Sequence, residues 1–223
     1  MTTGQVPLRT RRRSSAQEAR RDFYRARLVE VAEALFAEKG FESTKMEEVA
    51  EEAGLSLGTV YSAFRGKSAI LEALHETRLK ELLSVSVAAT RNLRGSVEIL
   101  VAGMRGFVEF FLDNPDFLRI HLRDSTSWGL PMPGRSPRVV AWEKGQAILI
   151  GILEQGIREG AFYADDPSRF ARTCAAIGEI RLGDWLSGGM SEQPEVILTD
   201  VERQLRRAVC CREEDRTAPV RPR

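Results

Sequence analysis

The stretch Thr44-Lys-Met-Glu-Glu-Val-Ala-Glu-Glu-Ala-Gly-Leu-Ser-Leu-Gly-Thr-Val-Tyr-Ser-Ala-Phe64 decides the fold. Thr44 stands before a helical pattern and Glu47 follows three residues later, the spacing at which a hydroxyl and a carboxylate satisfy the free N–H groups that open a helix. Val49, Ala50 and Ala53 share one face of that helix. Gly54 falls where a helix stops by entering the left-handed region, and Leu55 is the apolar residue that folds back on the preceding turn. Ser56 is placed to cap a second helix at once. That helix keeps Val60 and Phe64 for packing and turns Gly58, Thr59, Tyr61 and Ser62 outward. Two short helices around a glycine turn make a helix-turn-helix over about residues 45–64.

A short helix exposing small and hydroxyl-bearing side chains can lie deep in a DNA major groove. Around it, Phe23 to Leu74 carries Ala-Glu-Lys-Gly-Phe at 37–41, Thr44, Val49-Ala50, Ala53-Gly54-Leu55-Ser56, Gly58-Thr59-Val60-Tyr61, Phe64 and Lys67. This segment resembles the DNA-binding domain of TetR-family transcriptional regulators; the rest of the chain agrees with that family only in length and helical character. The resemblance implies that the helix Leu57 to Ala63 enters the major groove and that Thr44, Thr59, Tyr61 and Lys67 touch phosphates. The expected DNA-facing set is Thr44, Lys45, Ser56, Leu57, Gly58, Thr59, Tyr61, Ser62 and Lys67.

The side-chain chemistry suits those roles. Tyr61 offers a phenolic donor on a rigid arm, Thr59 a short hydroxyl, and Lys67 an ammonium near a helix start. Gly58 lets the backbone approach the duplex closely. Leu57 departs from the usual pattern of a polar residue there; it can meet a thymine methyl but makes no bidentate base contact.

The 223 residues suffice for one or two small domains with a real core. A formal net charge of +1 gives no hint of a polyanionic partner, but its distribution does. Arg9, Arg11, Arg12, Arg13, Arg20, Arg21 and Arg25 face only Glu18 and Asp22, a local excess that a phosphate backbone would attract. No run approaches the roughly 18 apolar residues of a membrane span, and no apolar segment follows the arginine cluster as an export signal would require. A cytoplasmic protein with no membrane partner is expected. Cys174 and the adjacent Cys210-Cys211 fit neither a disulfide framework nor a zinc site and suit a reducing compartment.

Punctuation along the chain names helices and no strand, so the fold class is all-α. Residues 1–20 read as a flexible basic arm, 21–66 as the DNA-binding domain, 67–211 as a helical effector-binding and dimerisation domain, and 212–223 as a disordered tail. The first helix, from near Asp22 to Lys39, buries Leu28, Val31, Ala32, Leu35 and Phe36 at helical spacing. Gly95-Ser96, Asn114-Pro115, Gly160, Asp166-Pro167 and Gly188-Gly189 mark later helix ends. Trp128 to Pro137, with three prolines and two glycines, is a loop.

In the resembled family the helical body pairs with a second subunit through its last two helices and encloses a small-molecule pocket. For the homodimer interface the apolar residues Trp185, Leu186, Leu198, Val201 and Leu205 stand out. For the pocket, Met104, Phe107, Phe111, His121, Trp128 and Trp142 do, favouring an apolar or aromatic effector. The expected partners are then a double-stranded palindromic operator, a second copy and a small molecule, with no cofactor and no metal. Catalysis is disfavoured by the absence of a nucleophile constellation or a phosphate-cradling loop around the two histidines, His75 and His121. Two other readings are a redox-sensing regulator acting through Cys210 and Cys211, whose adjacency strains a bridge, and a basic-arm adaptor for membranes or RNA.

Overall fold

The computed structural model describes the backbone of residues 8–123 and 137–211 and the side chains of residues 17–123 and 139–211. Their secondary structure comprises the helices α1 (Leu8–Lys39), α2 (Met46–Ala53), α3 (Leu57–Ala63), α4 (Lys67–Thr90), α5 (Ser96–Asp113), α6 (Pro115–Arg123), α7 (Pro137–Arg158), α8 (Pro167–Ser187) and α9 (Pro194–Val209). No strand occurs among the described residues beyond an isolated bridge between Phe162 and Cys210. None of these helices is long and apolar enough to cross a membrane. The chain divides into two compact units, Met1–Leu74 and His75–Arg223, so the boundary falls inside α4.

In the first unit, Leu28, Val31, Ala32, Leu35 and Phe36 form the buried stripe of α1, against which α2 and α3 pack. The helix begins earlier than its apolar pattern. Residues 8–20, expected as part of an arm, are helical, because arginine, alanine, glutamine and glutamate extend a helix already nucleated by a buried face at little cost. Residues 1–7 of that arm lie outside the described residues, as do the 212–223 tail and all of the Trp128–Pro137 loop before Pro137, which opens α7.

In the second unit α5 is central, packing on α6, α7, α8 and α9. Asp166 caps α8 through Oδ1, which accepts from Ser168 N at 2.9 Å, and Pro167 occupies the first turn. The end of α9 is pinned to the turn after α7 by Tyr163 N donating to Val209 O and Cys211 N to Ala161 O, both at 3.0 Å. The apolar face of α9 is used up inside this unit. Leu198, Val201 and Leu205 are buried, as is Trp185 on α8, which corrects their expected place at a subunit interface: α9 lays that face on α5 and α8. Leu186 is half-buried, and the exposed apolar side chains on these helices are instead Ile180 at 66% and Val196 at 51%.

Candidate functional site

Gly54 ends α2 at φ 67°, a conformation that costs glycine nothing, and Leu55 N donates back to Ala50 O at 2.9 Å. Ser56 then caps α3, its Oγ accepting from Thr59 N at 3.2 Å and lying 2.8 Å from Thr59 Oγ1. The helix splits cleanly into two sides. Val60, Ala63 and Phe64 are buried, whereas Leu57, Gly58, Tyr61 and Ser62 are exposed and Thr59 is half-exposed. At its far end Arg25 Nη1 donates to Ala63 O at 2.6 Å while the guanidinium lies 4.0 Å from the centre of the Phe64 ring. Arg25, counted in sequence among the cations for DNA, thus satisfies the last carbonyl of α3 and holds that helix against α1.

The start of α2 differs from its expected form. Thr44 is 1% exposed, and its hydroxyl donates to Gly40 O at 2.9 Å, closing the end of α1 rather than opening α2. The N-cap is Lys45, whose N–H donates to Glu48 Oε2 at 2.9 Å; this is half a capping box, since an ammonium has no lone pair to return. Glu48 Oε1 also receives Lys39 Nζ at 2.7 Å, and the Lys39 ammonium, followed by the Lys45 N–H, holds the Glu48 carboxyl below its ordinary range. With its proton engaged and its side chain buried, Thr44 offers no donor to a phosphate, whereas Lys45 beside it is exposed.

Lys67 has acquired a structural task. Its Nζ donates to Phe41 O at 2.8 Å and to Glu42 O at 2.9 Å, and sits 4.5 Å from the Phe41 ring centre. The ammonium staples the turn between α1 and α2 to the start of α4. Arg65, which sequence reasoning passed over, is exposed directly after α3 with no partner among the described residues. Its position in the Phe64-Arg-Gly-Lys67 break was the available signal. The surface gathered on and around α3 is therefore Lys45, Ser56, Leu57, Gly58, Thr59, Tyr61, Ser62 and Arg65. Its helix carries no charged side chain, and its largest member, Tyr61, is 49% exposed with no polar contact inside the unit.

Residues 28–74 match the description "Bacterial regulatory proteins, tetR family". The match covers the helix-turn-helix head alone. Over 101 residues it is 30% identical to the uncharacterised HTH-type transcriptional regulator YerO of Bacillus subtilis, covering 44% of this chain and 35% of that protein. It spans between 35% and 51% of the lengths of the first curated relatives it matches. Among solved structures, a tetR-family regulatory protein from Rhodococcus RHA1 superposes with a TM-score of 0.72 at 21% identity, over 85% of this chain and 98% of that one. AibR in complex with isovaleryl coenzyme A and operator DNA superposes with a TM-score of 0.68 at 20% identity, over 82% and 97% of the two chains. The tetR-type fold, a helix-turn-helix head followed by a helical body, therefore extends through the described chain.

Within the second unit, α4, α5, α7 and α8 surround a cleft whose empty space, its open mouth included, is about 800 Å³. Met104 and Phe107 line it. Phe111 and His121 do not: they are buried with Phe117 in an aromatic group, Phe111 stacked on Phe117 at 5.8 Å and 5.6 Å from His121. Trp142 is half-buried outside the lining, and Trp128 lies outside the described residues. The residues that sequence missed are aliphatic and polar: Leu79, Leu83 and Ser86 from α4, and Gln146, Ile148 and Leu149 from α7. Burial, with a smaller contribution from Cys210, pushes the Cys174 thiol up to about 12, which makes it a poor nucleophile.

Proposed function

We propose that the protein is a sequence-specific DNA-binding transcriptional regulator of the cytoplasm, a repressor that binds a palindromic operator as a homodimer and is released by a small molecule. Residues 21–66 form the DNA-reading domain and residues 67–211 the effector-binding and dimerisation domain. The observation that carries the reading is the exposed, uncharged face of α3, with Tyr61 at its middle and the free cations Lys45 and Arg65 at its margins. Such a surface can enter a groove without repelling phosphate, while the flanking cations and the Tyr61 hydroxyl reach the backbone. The match of residues 28–74 to the tetR family and the operator complex of the structurally similar AibR support it.

One head offers few contacts, and two related by a two-fold axis double them on half-sites about one helical turn apart or more. For the second copy the exposed Ile180 and Val196 on α8 and α9 are the apolar side chains available. An effector in the cleft acts only through unequal affinity for the DNA-competent and DNA-incompetent conformations, and by linkage the operator weakens the effector equally. Selection of duplexes from a random library by the purified chain tests the reading: an inverted repeat is expected, and no enrichment over non-specific duplex would refute it.

A further inference from the structure

Gln146 on α7 is 8% exposed, lines the cleft, and its amide has no hydrogen-bond partner among the described residues. The Gln146 amide atoms are not among the described polar atoms sealed from solvent without a partner, so in the open cleft they can meet water, and a ligand that displaces that water has to replace its hydrogen bonds. Among the described residues no charged side chain lines the cleft. Of the two hydroxyls in the lining, Thr90 Oγ1 already donates to Val87 O at 2.9 Å, and Ser86, like Thr90, adds a neutral polar group but no counter-charge. A ligand's fixed charge would therefore lose its hydration without gaining a counter-charge.

Two mid-helix glycines widen the same space. A methyl at Gly103 would meet Thr90 Cγ2, and one at Gly145 would meet Leu83 Cδ2, each at 3.5 Å. Both are ordinary contacts, so alanine fits there, and glycine is the poorer helix residue. What these positions provide is room beside the Gln146 amide.

We propose that the cleft takes an uncharged, mainly apolar small molecule whose single carbonyl or hydroxyl group hydrogen-bonds the Gln146 side chain, and that Gln146 sets the specificity of the site. This rests on the reading of the cleft as the effector site and narrows it to neutral ligands. Among the described residues the lining offers one amide and two hydroxyls to a neutral polar group and no counter-charge to an ion.

The test uses the full chain loaded with the neutral dye phenylnaphthylamine and displaced by octanol, octanoate or octylammonium at neutral pH. Octanol is expected to bind at least about tenfold tighter than either ion, since a site that hydrogen-bonds its ligand and cannot solvate a charge discriminates at that level or above. Gln146→Leu should weaken octanol about tenfold while the dye still binds, which also reports that the variant folds. Gly145→Ala should weaken both with an unchanged or higher melting temperature. Equal binding of the charged probes, an unaltered octanol affinity in Gln146→Leu, or no displacement by octanol would each overturn the proposal. Operator binding measured on the same samples separates the two readings: neutral-ligand selectivity without DNA binding removes the regulator function and leaves the site, and DNA binding without selectivity does the reverse.

Discussion

The first unit concentrates its exposed chemistry on the 7-residue helix α3 and its margins, whereas the second unit disperses its cleft over four helices, from Leu79 to Ala175. The difference lies in what builds each surface. In the head, caps and a left-handed glycine fix which side of α3 faces out, and these devices act within a few residues. In the body, whether an apolar residue is core or lining depends on how far apart helices distant in sequence happen to stand.

The contrast is most easily broken at Phe107 and Phe111, one turn apart on α5. Phe111 is buried to 1% among aromatic rings, so Phe111→Ala should cost about 3–5 kcal/mol in urea unfolding. Phe107, half-buried on the cleft, should cost about half of that when replaced by alanine and should alter dye binding. Equal losses would mean that lining and core are not distinct in this unit.

In the head, the corresponding question is whether Lys67 serves the fold or the DNA. Lys67→Met removes two charge-assisted hydrogen bonds to the turn carbonyls and should destabilise the protein by about 2 kcal/mol, with the salt dependence of DNA binding unchanged. A salt slope smaller by about 1 with no loss of stability would return the ammonium to a phosphate. A smaller effect is expected at Thr44, where Thr44→Val keeps the shape and removes the bond to Gly40 O, costing about 1 kcal/mol. An unmoved melting curve would show that this bond does not hold the end of α1.

These cases explain how far the sequence could be read. Gly54, Ser56 and the Asp166-Pro167 start of α8 were legible because each solves a local backbone problem with a local side chain. Thr44 misled because the spacing Thr-x-x-Glu fits a capping box equally well one residue before the real one; a tertiary bond to the end of α1 took its hydroxyl. The periodic apolar face of α9 announced burial but not the partner, and Leu198, Val201 and Leu205 found theirs inside the same unit. Gln146 carried no signal at all, since a glutamine becomes informative only when its surroundings leave it without a partner.

The claim that the outer face of α3 reads DNA while its inner face holds the fold meets its most direct test at Tyr61, 49% exposed and making no polar contact inside its unit. Affinity for the selected duplex and thermal stability should be measured together for the wild type and Tyr61→Phe. Loss of one phenolic contact predicts binding weaker by about tenfold with the melting temperature unchanged. Unaltered affinity, or a fall in stability that accounts for the weaker binding, would contradict the account.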